Sequence, residues 1–272
     1  MKKNHKLILF DLFFIGLFLA SSWGDEIGVF YALEQDWGKL KSQAQYIGIT
    51  KVGNRSIETI RLGSHQIYGI KMGAGVVESA ISAQALLGRF RCDLAISLGP
   101  IGALSDELKI GQWCLITNVV AYQKGTQTRA AFQASEKSYY SLPFPARLKE
   151  AGVENSLKLK KISVASGEMF IASESFQKEL QEKTQAQAVD MNLFGLLSAF
   201  TSYASAQGLP HIALRVVSDE ANDSATQDFK TFVASYKGEG GATVAQLITN
   251  LPSNPNSPDT YPTLRKMLKS QN

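Results

Sequence analysis

Cysteine is scarce: two in 272 residues, Cys92 and Cys114. That excludes a disulfide-stapled scaffold and a cysteine-rich zinc module. Each thiol sits in an apolar, strand-like segment, where cysteine packs as a small buried hydrophobe. In an oxidising compartment the two could also pair, and sequence alone does not supply the geometry that decides it. Histidine is equally thin, at positions 5, 65 and 211. No Cys/His cluster has metal-ligand spacing, so neither a metal nor any other cofactor is expected. Charge of one sign is also lacking, since the net is only +4. Removing residues 1–22 takes away Lys2, Lys3, Lys6 and Asp11 and leaves +2. A nucleic-acid partner is therefore not expected. No internal repeat and no inner domain boundary are visible.

Long apolar runs are missing too, apart from Leu7 to Ala20, which is interrupted by Asp11. A bilayer needs about 20 such residues. A basic start, a short apolar run and the small residues Ala20-Ser21-Ser22 form a secretory signal pattern. The expected organisation is a signal peptide over 1–22, one domain over 23–251 and a flexible tail over 252–272. Pro252, Pro255 and Pro258 alternate with Asn and Ser in that tail. The expected destination is the periplasm or the outside of the cell, with no membrane attachment once the signal is removed.

What remains is 44% hydrophobic, enough for a sizeable core. Glu26 to Ala32 reads as a strand and Leu33 to Gln45 as a helix. Tyr46 to Ile70 reads as hairpin strands with turns at Gly53-Asn54 and Gly63-Ser64. Met72-Gly73-Ala74-Gly75 leads into a helix from Val76 to about Phe90. Asp93 to Leu98 is an apolar strand ending in the turn Gly99-Pro100-Ile101-Gly102. Further strands are expected at 113–120, 162–164, 188–191 and 212–219, and helices at 174–184, 194–207 and 228–250. Residues 121–160 read as a long loop or edge insertion. Strands alternating with helices imply a largely parallel sheet covered on both faces, an α/β fold.

The residues with chemistry stand at strand ends, where such folds bind ligands. Arg215-Val216-Val217-Ser218-Asp219 places a carboxylate there. Asp219 suits general acid work if desolvation raises its pKa, with Ser218 to orient it; otherwise it is a cap or loop-ordering residue. Glu34 and Asp36 follow the first strand. One could activate water, or both could be ordinary acids of a helix N-terminus. Gly73-Ala74-Gly75 precedes a helix and offers either a backbone cradle for phosphate or hydroxyl, or a tight turn. Gly99-Pro100-Ile101-Gly102 carries the same two readings. Asp190 and Asn192, two apart on a strand, share a face and could bind sugar hydroxyls, with Met191 pointing away unless the strand ends there. Phe170-Ile171 after Ser166-Gly167 supplies an aromatic wall for stacking a purine, or core packing.

The order of these segments resembles the nucleoside phosphorylase/nucleosidase superfamily, and within it the 5′-methylthioadenosine/S-adenosylhomocysteine nucleosidases. The likeness runs from Ile27 to about residue 250. It implies a single-domain, mixed-sheet α/β sandwich and a homodimer. It implies Asp219 as the acid that protonates the purine, Asp36 as the base for water, Phe170 and Ile171 as the base pocket, and Met191 and Asn192 at the ribose. Asp36 stands where the family has Glu, one methylene shorter. Asn192 also replaces a Glu, keeping an acceptor but losing a charge that roughly doubles hydrogen-bond strength. Pro100 replaces Ser or Thr, so a hydroxyl and an N–H both disappear. Gly75, Gly99 and Pro100 complete the expected substrate-binding set. Three functions follow as expectations: a purine nucleosidase, a phosphate-dependent phosphorylase, or an exported nucleoside-binding or storage protein.

Overall fold

A computed structural model describes residues 24–129, 132–134, 139–203 and 208–252. The expected signal peptide and all but the start of the expected tail lie outside the described residues.

The chain opens with β1 (Glu26–Tyr31), α1 (Glu34–Lys41) and three strands, β2 (Gln45–Val52), β3 (Arg55–Leu62) and β4 (His65–Lys71). The turns between those strands fall at Gly53 and Gly63, both with positive φ, as the dipeptides Gly-Asn and Gly-Ser predict. Next come α2 (Val76–Leu87), β5 (Leu94–Ala103) and β6 (Trp113–Ala121). The segment expected to be irregular holds β7 (Gly125–Gln127), β8 (Phe132–Ala134), β9 (Tyr139–Ser141) and the short helices α3 (Ala146–Glu150) and α4 (Val153–Ser156). The chain continues through β10 (Lys160–Ser166), α5 (Glu174–Thr184), β11 (Ala188–Asp190), α6 (Leu193–Tyr203) and β12 (His211–Asp219). It closes with α7 (Ala225–Ser235) and α8 (Glu239–Thr249). The expected single last helix is therefore two, broken at Gly238, whose φ of 82° no helix tolerates.

Ten strands form one sheet, in the order β11-β10-β6-β12-β5-β1-β4-β3-β2, with β9 beside β6. Pairing is mixed: β5 runs parallel to β1 and β12, whereas β12 runs antiparallel to β6. The expected largely parallel sheet is corrected on this point, because the hairpin β2-β3-β4 and the β6–β12 pairing are antiparallel.

The strand β5 decides the shape. Its first half pairs with β1 from Leu94 to Leu98, and its second half pairs with β11 at Gly102 and Ala103. By changing neighbour it closes β11, β10, β6, β12 and β5 into a ring at one end of the sheet. The expected turn at Gly99-Pro100-Ile101-Gly102 is thus corrected: it is strand. Proline is tolerated in this central strand for a specific reason. The Leu98 carbonyl faces β1, where it accepts from the Ala32 N–H at 3.0 Å. Backbone groups two residues on face the same side, and there β1 has already ended, so Pro100 loses no ladder bond.

Helices cover both faces. One core packs α2 and α6 against the sheet through Phe30, Leu86, Leu196 and Phe200, and holds both Cys92 and Cys114. The other packs α1 and α8 through Trp37, Leu40, Val244 and Ile248. Both cysteines are free and buried.

Candidate active site

The carboxyl ends of β12, β5, β1 and β4 open on a cavity of about 270 Å³, the size class of a small-ligand site. Strand β12 supplies Ser218 and Asp219, and β5 supplies Pro100, Ile101 and Gly102. The β4–α2 turn supplies Lys71 to Ala74, and the loop after β10 supplies Met169, Phe170 and Ile171. Val189 to Asn192 close the floor, and Phe229 of α7 faces Phe170 across the mouth.

Neighbouring residues of a regular strand point to opposite faces, yet Ser218 and Asp219 both line the cavity. The β12–β5 register shifts between Val217 and Asp219, and such a bulge re-aims side chains at a site. The Asp219 carboxylate is then fixed at both oxygens. Oδ2 lies 2.8 Å from the Ser218 hydroxyl, and Oδ1 accepts the Ala221 N–H at 3.0 Å. These bonds favour the anion, but burial outweighs them and pushes the Asp219 pKa up. Gly102 makes room: a Cβ there would stand 2.8 Å from Asp219 Oδ1. Facing this acid is an aromatic wall, Phe170 edge-on to Phe229 at 5.8 Å between ring centres. An acid of raised pKa beside aromatic rings suits protonation of a flat heteroaromatic base.

The β11–α6 corner is more constrained than its sequence suggested. Asp190 lines the cavity, but its Oδ2 takes two 3.3 Å bonds from Arg215, a guanidinium with no exposed surface. It also accepts the Leu193 N–H at 3.2 Å at the start of α6. Asp190, expected to point into the site, thus lines the cavity as half of a buried ion pair. Met191 faces the cavity because the strand ends at Asp190. Asn192 lines it too, with its amide nitrogen donating to the Gly73 carbonyl at 2.7 Å and to the Ser79 hydroxyl at 2.6 Å. Its Oδ1 remains the atom available to a ligand.

Three expected residues stand outside the lining. Gly99 is one, packed so that a Cβ would lie 3.2 Å from that of Ala32. Gly75, with φ of 101°, is the second. The α2 N-terminus it precedes is already filled, because Glu168 Oε1 accepts the Val77 N–H at 2.8 Å and a Cβ at position 75 would collide with Glu168 Oε2. The expected cradle for an external phosphate or hydroxyl is therefore occupied by the protein's own carboxylate.

Asp36 is the third. It belongs to the buried face of α1 with Trp37 and Leu40. Its Oδ1 accepts from the Tyr236 hydroxyl and, at 3.1 Å, from the Gly241 N–H at the start of α8, while Oδ2 has no partner among the described residues. Burial pushes its pKa up to about 6. The expectation that it meets substrate water is corrected by its direction: three residues past Leu33, it points into the α1–α8 contact. A Cβ on Gly240 would sit 2.7 Å from Asp36 Oδ1, so these helices touch closely. Glu34, the other acid after β1, pairs with Lys71 at 3.0 Å on the cavity rim.

Two contributors escaped sequence reasoning. Phe229 was visible in principle, since Phe229, Phe232, Val233 and Tyr236 recur at helical spacing. Glu168 carried no local signal, because its partner Val77 lies 91 residues away.

The site's setting has parallels in known proteins. The family model of the phosphorylase superfamily matches residues 26–249. A 5′-methylthioadenosine/S-adenosylhomocysteine nucleosidase of Staphylococcus aureus is 27% identical over 232 residues, 83% of this chain and 100% of the relative. Among solved structures, a Helicobacter pylori nucleosidase holding 5′-methylthioadenosine in its active site superposes with a TM-score of 0.72 at 19% identity, covering 84% of this chain and 100% of that one. Futalosine hydrolase of Helicobacter pylori superposes with a TM-score of 0.69, also at 19% identity, over 84% of this chain and 97% of that one.

Proposed function

Since the chain belongs to the phosphorylase superfamily, we propose that it is a nucleosidase that hydrolyses the N-glycosidic bond of a purine nucleoside or thionucleoside. The observation that carries the reading is Asp219, buried at a strand end with a raised pKa and facing an aromatic wall. In the reaction the protonated Asp219 gives its proton to N7 of the base. The C1′–N9 bond breaks with its electron pair leaving on the purine. Water adds to the oxocarbenium-like C1′ and releases a proton, which restores the acid. Phe170 and Ile171 hold the base, and Met191 and Asn192 hold the ribose. Protein dipoles and the Asp190–Arg215 pair are already oriented before reaction, which is how such sites stabilise developing charge.

Hydrolysis is favoured over phosphorolysis by what surrounds the cavity. The α2 N-terminus is filled by Glu168, Pro100 offers no N–H, and Arg215 is committed to Asp190. A second reading, a nucleoside-binding protein without turnover, draws on the position of Asp36 outside the cavity. One assay separates all three: release of free base from methylthioadenosine, adenosylhomocysteine, adenosine and inosine, with and without phosphate. Release without phosphate supports the nucleosidase. Strict phosphate dependence makes it a phosphorylase, and binding without release over long incubation makes it a binding protein.

The same reading includes an exported homodimer. Export draws on the basic and apolar pattern of residues 1–20, and dimerisation on exposed Val77 and Ile81, one turn apart on α2. Cell fractionation and analytical ultracentrifugation test these two points.

A further inference from the structure

We propose that Glu168 is a positioning residue: its side chain clasps the N-terminus of α2 and so holds the Met169–Ile171 wall against the bound base. The inference rests on the nucleosidase reading and adds a residue to it.

Between Ser166, the end of β10, and Ser173, which caps α5, the chain has no regular structure. Its anchors lie at the two ends. Before the wall, the Gly167 N–H donates to the Asp190 carbonyl at 3.1 Å and the Glu168 N–H to Gln123 Oε1 at 2.6 Å. At its far end, Ile171 is buried. Met169 and Phe170, 45% and 43% exposed, lie between these anchors and line the cavity, with Phe170 edge-on to Phe229.

Among the described residues, the Glu168 side chain makes the one hydrogen bond from this loop to the opposite wall, accepting the Val77 N–H at 2.8 Å. That wall is the Gly73–Ala74 turn, which runs directly into α2 and also lines the cavity. The clasp therefore couples two segments that line the same cavity. Its chemistry is favourable, because a carboxylate at a helix N-terminus meets unsatisfied N–H groups and the positive end of the helix dipole. It is also reversible, because Glu168 is exposed and, among the described residues, one hydrogen bond holds its side chain. Gly75 is needed for the same arrangement, since any side chain there would displace the Glu168 carboxylate.

The test uses the full chain as wild type, Glu168→Ala and Glu168→Gln. Base release from methylthioadenosine gives KM and kcat separately, calorimetry gives adenine affinity, and amide hydrogen exchange reads Val77. For Glu168→Ala the expected result is KM up about tenfold, adenine binding weaker by about the same factor and kcat within about threefold, the scale of one charge-assisted hydrogen bond. Val77 exchange should quicken about tenfold. Glu168→Gln keeps the acceptor and should restore most of each. Unchanged KM and adenine affinity in Glu168→Ala overturns the proposal. So does a fall in kcat and melting temperature with KM unchanged, which marks a purely structural residue. Should wild type neither release nor bind base, the nucleosidase reading fails by itself. Val77 exchange then still decides the clasp, and an unprotected Val77 in wild type sinks it.

Discussion

Asp219 and Asp36 make an instructive pair. Each stands at or just beyond the carboxyl end of a strand of the same sheet, each is buried, and burial raises the pKa of each. Yet one faces the cavity and the other does not. Asp219 is the last residue of β12, and a bulge turns it toward the ligand space. Asp36 sits three residues beyond Leu33 on a helix, where the periodicity that buries Trp37 and Leu40 carries it to the α8 side. Proximity to a strand end is thus insufficient; the local backbone sets the direction. The second difference lies in the partners. Both Asp219 oxygens are occupied, whereas Asp36 Oδ2 is buried without a partner among the described residues.

The sharpest way to break this contrast is mutation. Asp219→Asn removes the transferable proton and should lower kcat for base release by about 10²–10⁴-fold, the usual worth of general acid catalysis, with nucleoside binding retained by calorimetry. Asp36→Asn should stay within about tenfold of wild type, well short of that loss. A loss as deep at Asp36 as at Asp219 would collapse the distinction.

Next comes pH. The Asp36 value of about 6 in the folded protein lies above its ordinary 3.8. Its stabilising contribution is therefore complete below the unfolded value and is lost as pH rises through 6. At about 1.4 kcal/mol per pKa unit, the difference amounts to about 3 kcal/mol. Denaturant unfolding of wild type and Asp36→Asn across pH 4 to 8 should show this component in wild type alone. Asp219 shares the direction of shift, so base release should decline as pH rises past its own raised pKa.

Phe170→Ala sharpens the cavity side of the comparison. Base–aromatic stacking is worth about 1–3 kcal/mol, so KM should rise about tenfold or more while the melting temperature barely moves. The smallest effect belongs to Tyr236→Phe. Losing its bond to the buried Asp36 carboxylate should cost about 1–3 kcal/mol of stability, read by denaturant unfolding, without changing KM.

Much of the fold was legible. The strand Glu26–Tyr31, the helix Glu174–Thr184, the hairpin turns and the strand ending at Asp219 all follow from periodicity and turn residues. The errors cluster where tertiary contacts overrule local signals. Gly99-Pro100-Ile101-Gly102 looks like a turn because Gly and Pro break elements, yet β11 and β12 hold it extended. Nothing local announces that Asp190 would pair with Arg215, 25 residues away.

By itself, the sequence determined which side chains stand at strand ends and which residues can pair, stack or titrate, because strand and helix periodicities are local. Only the tertiary structure decided which of them meet. Glu168 reaches Val77, and Asp36 reaches Gly241, across 91 and 205 residues. Whether a carboxylate works on a ligand or braces a helix depends on contacts of that range. Desolvation and hydrogen bonding, the forces that tune such a group, are properties of its surroundings rather than of its place in the chain.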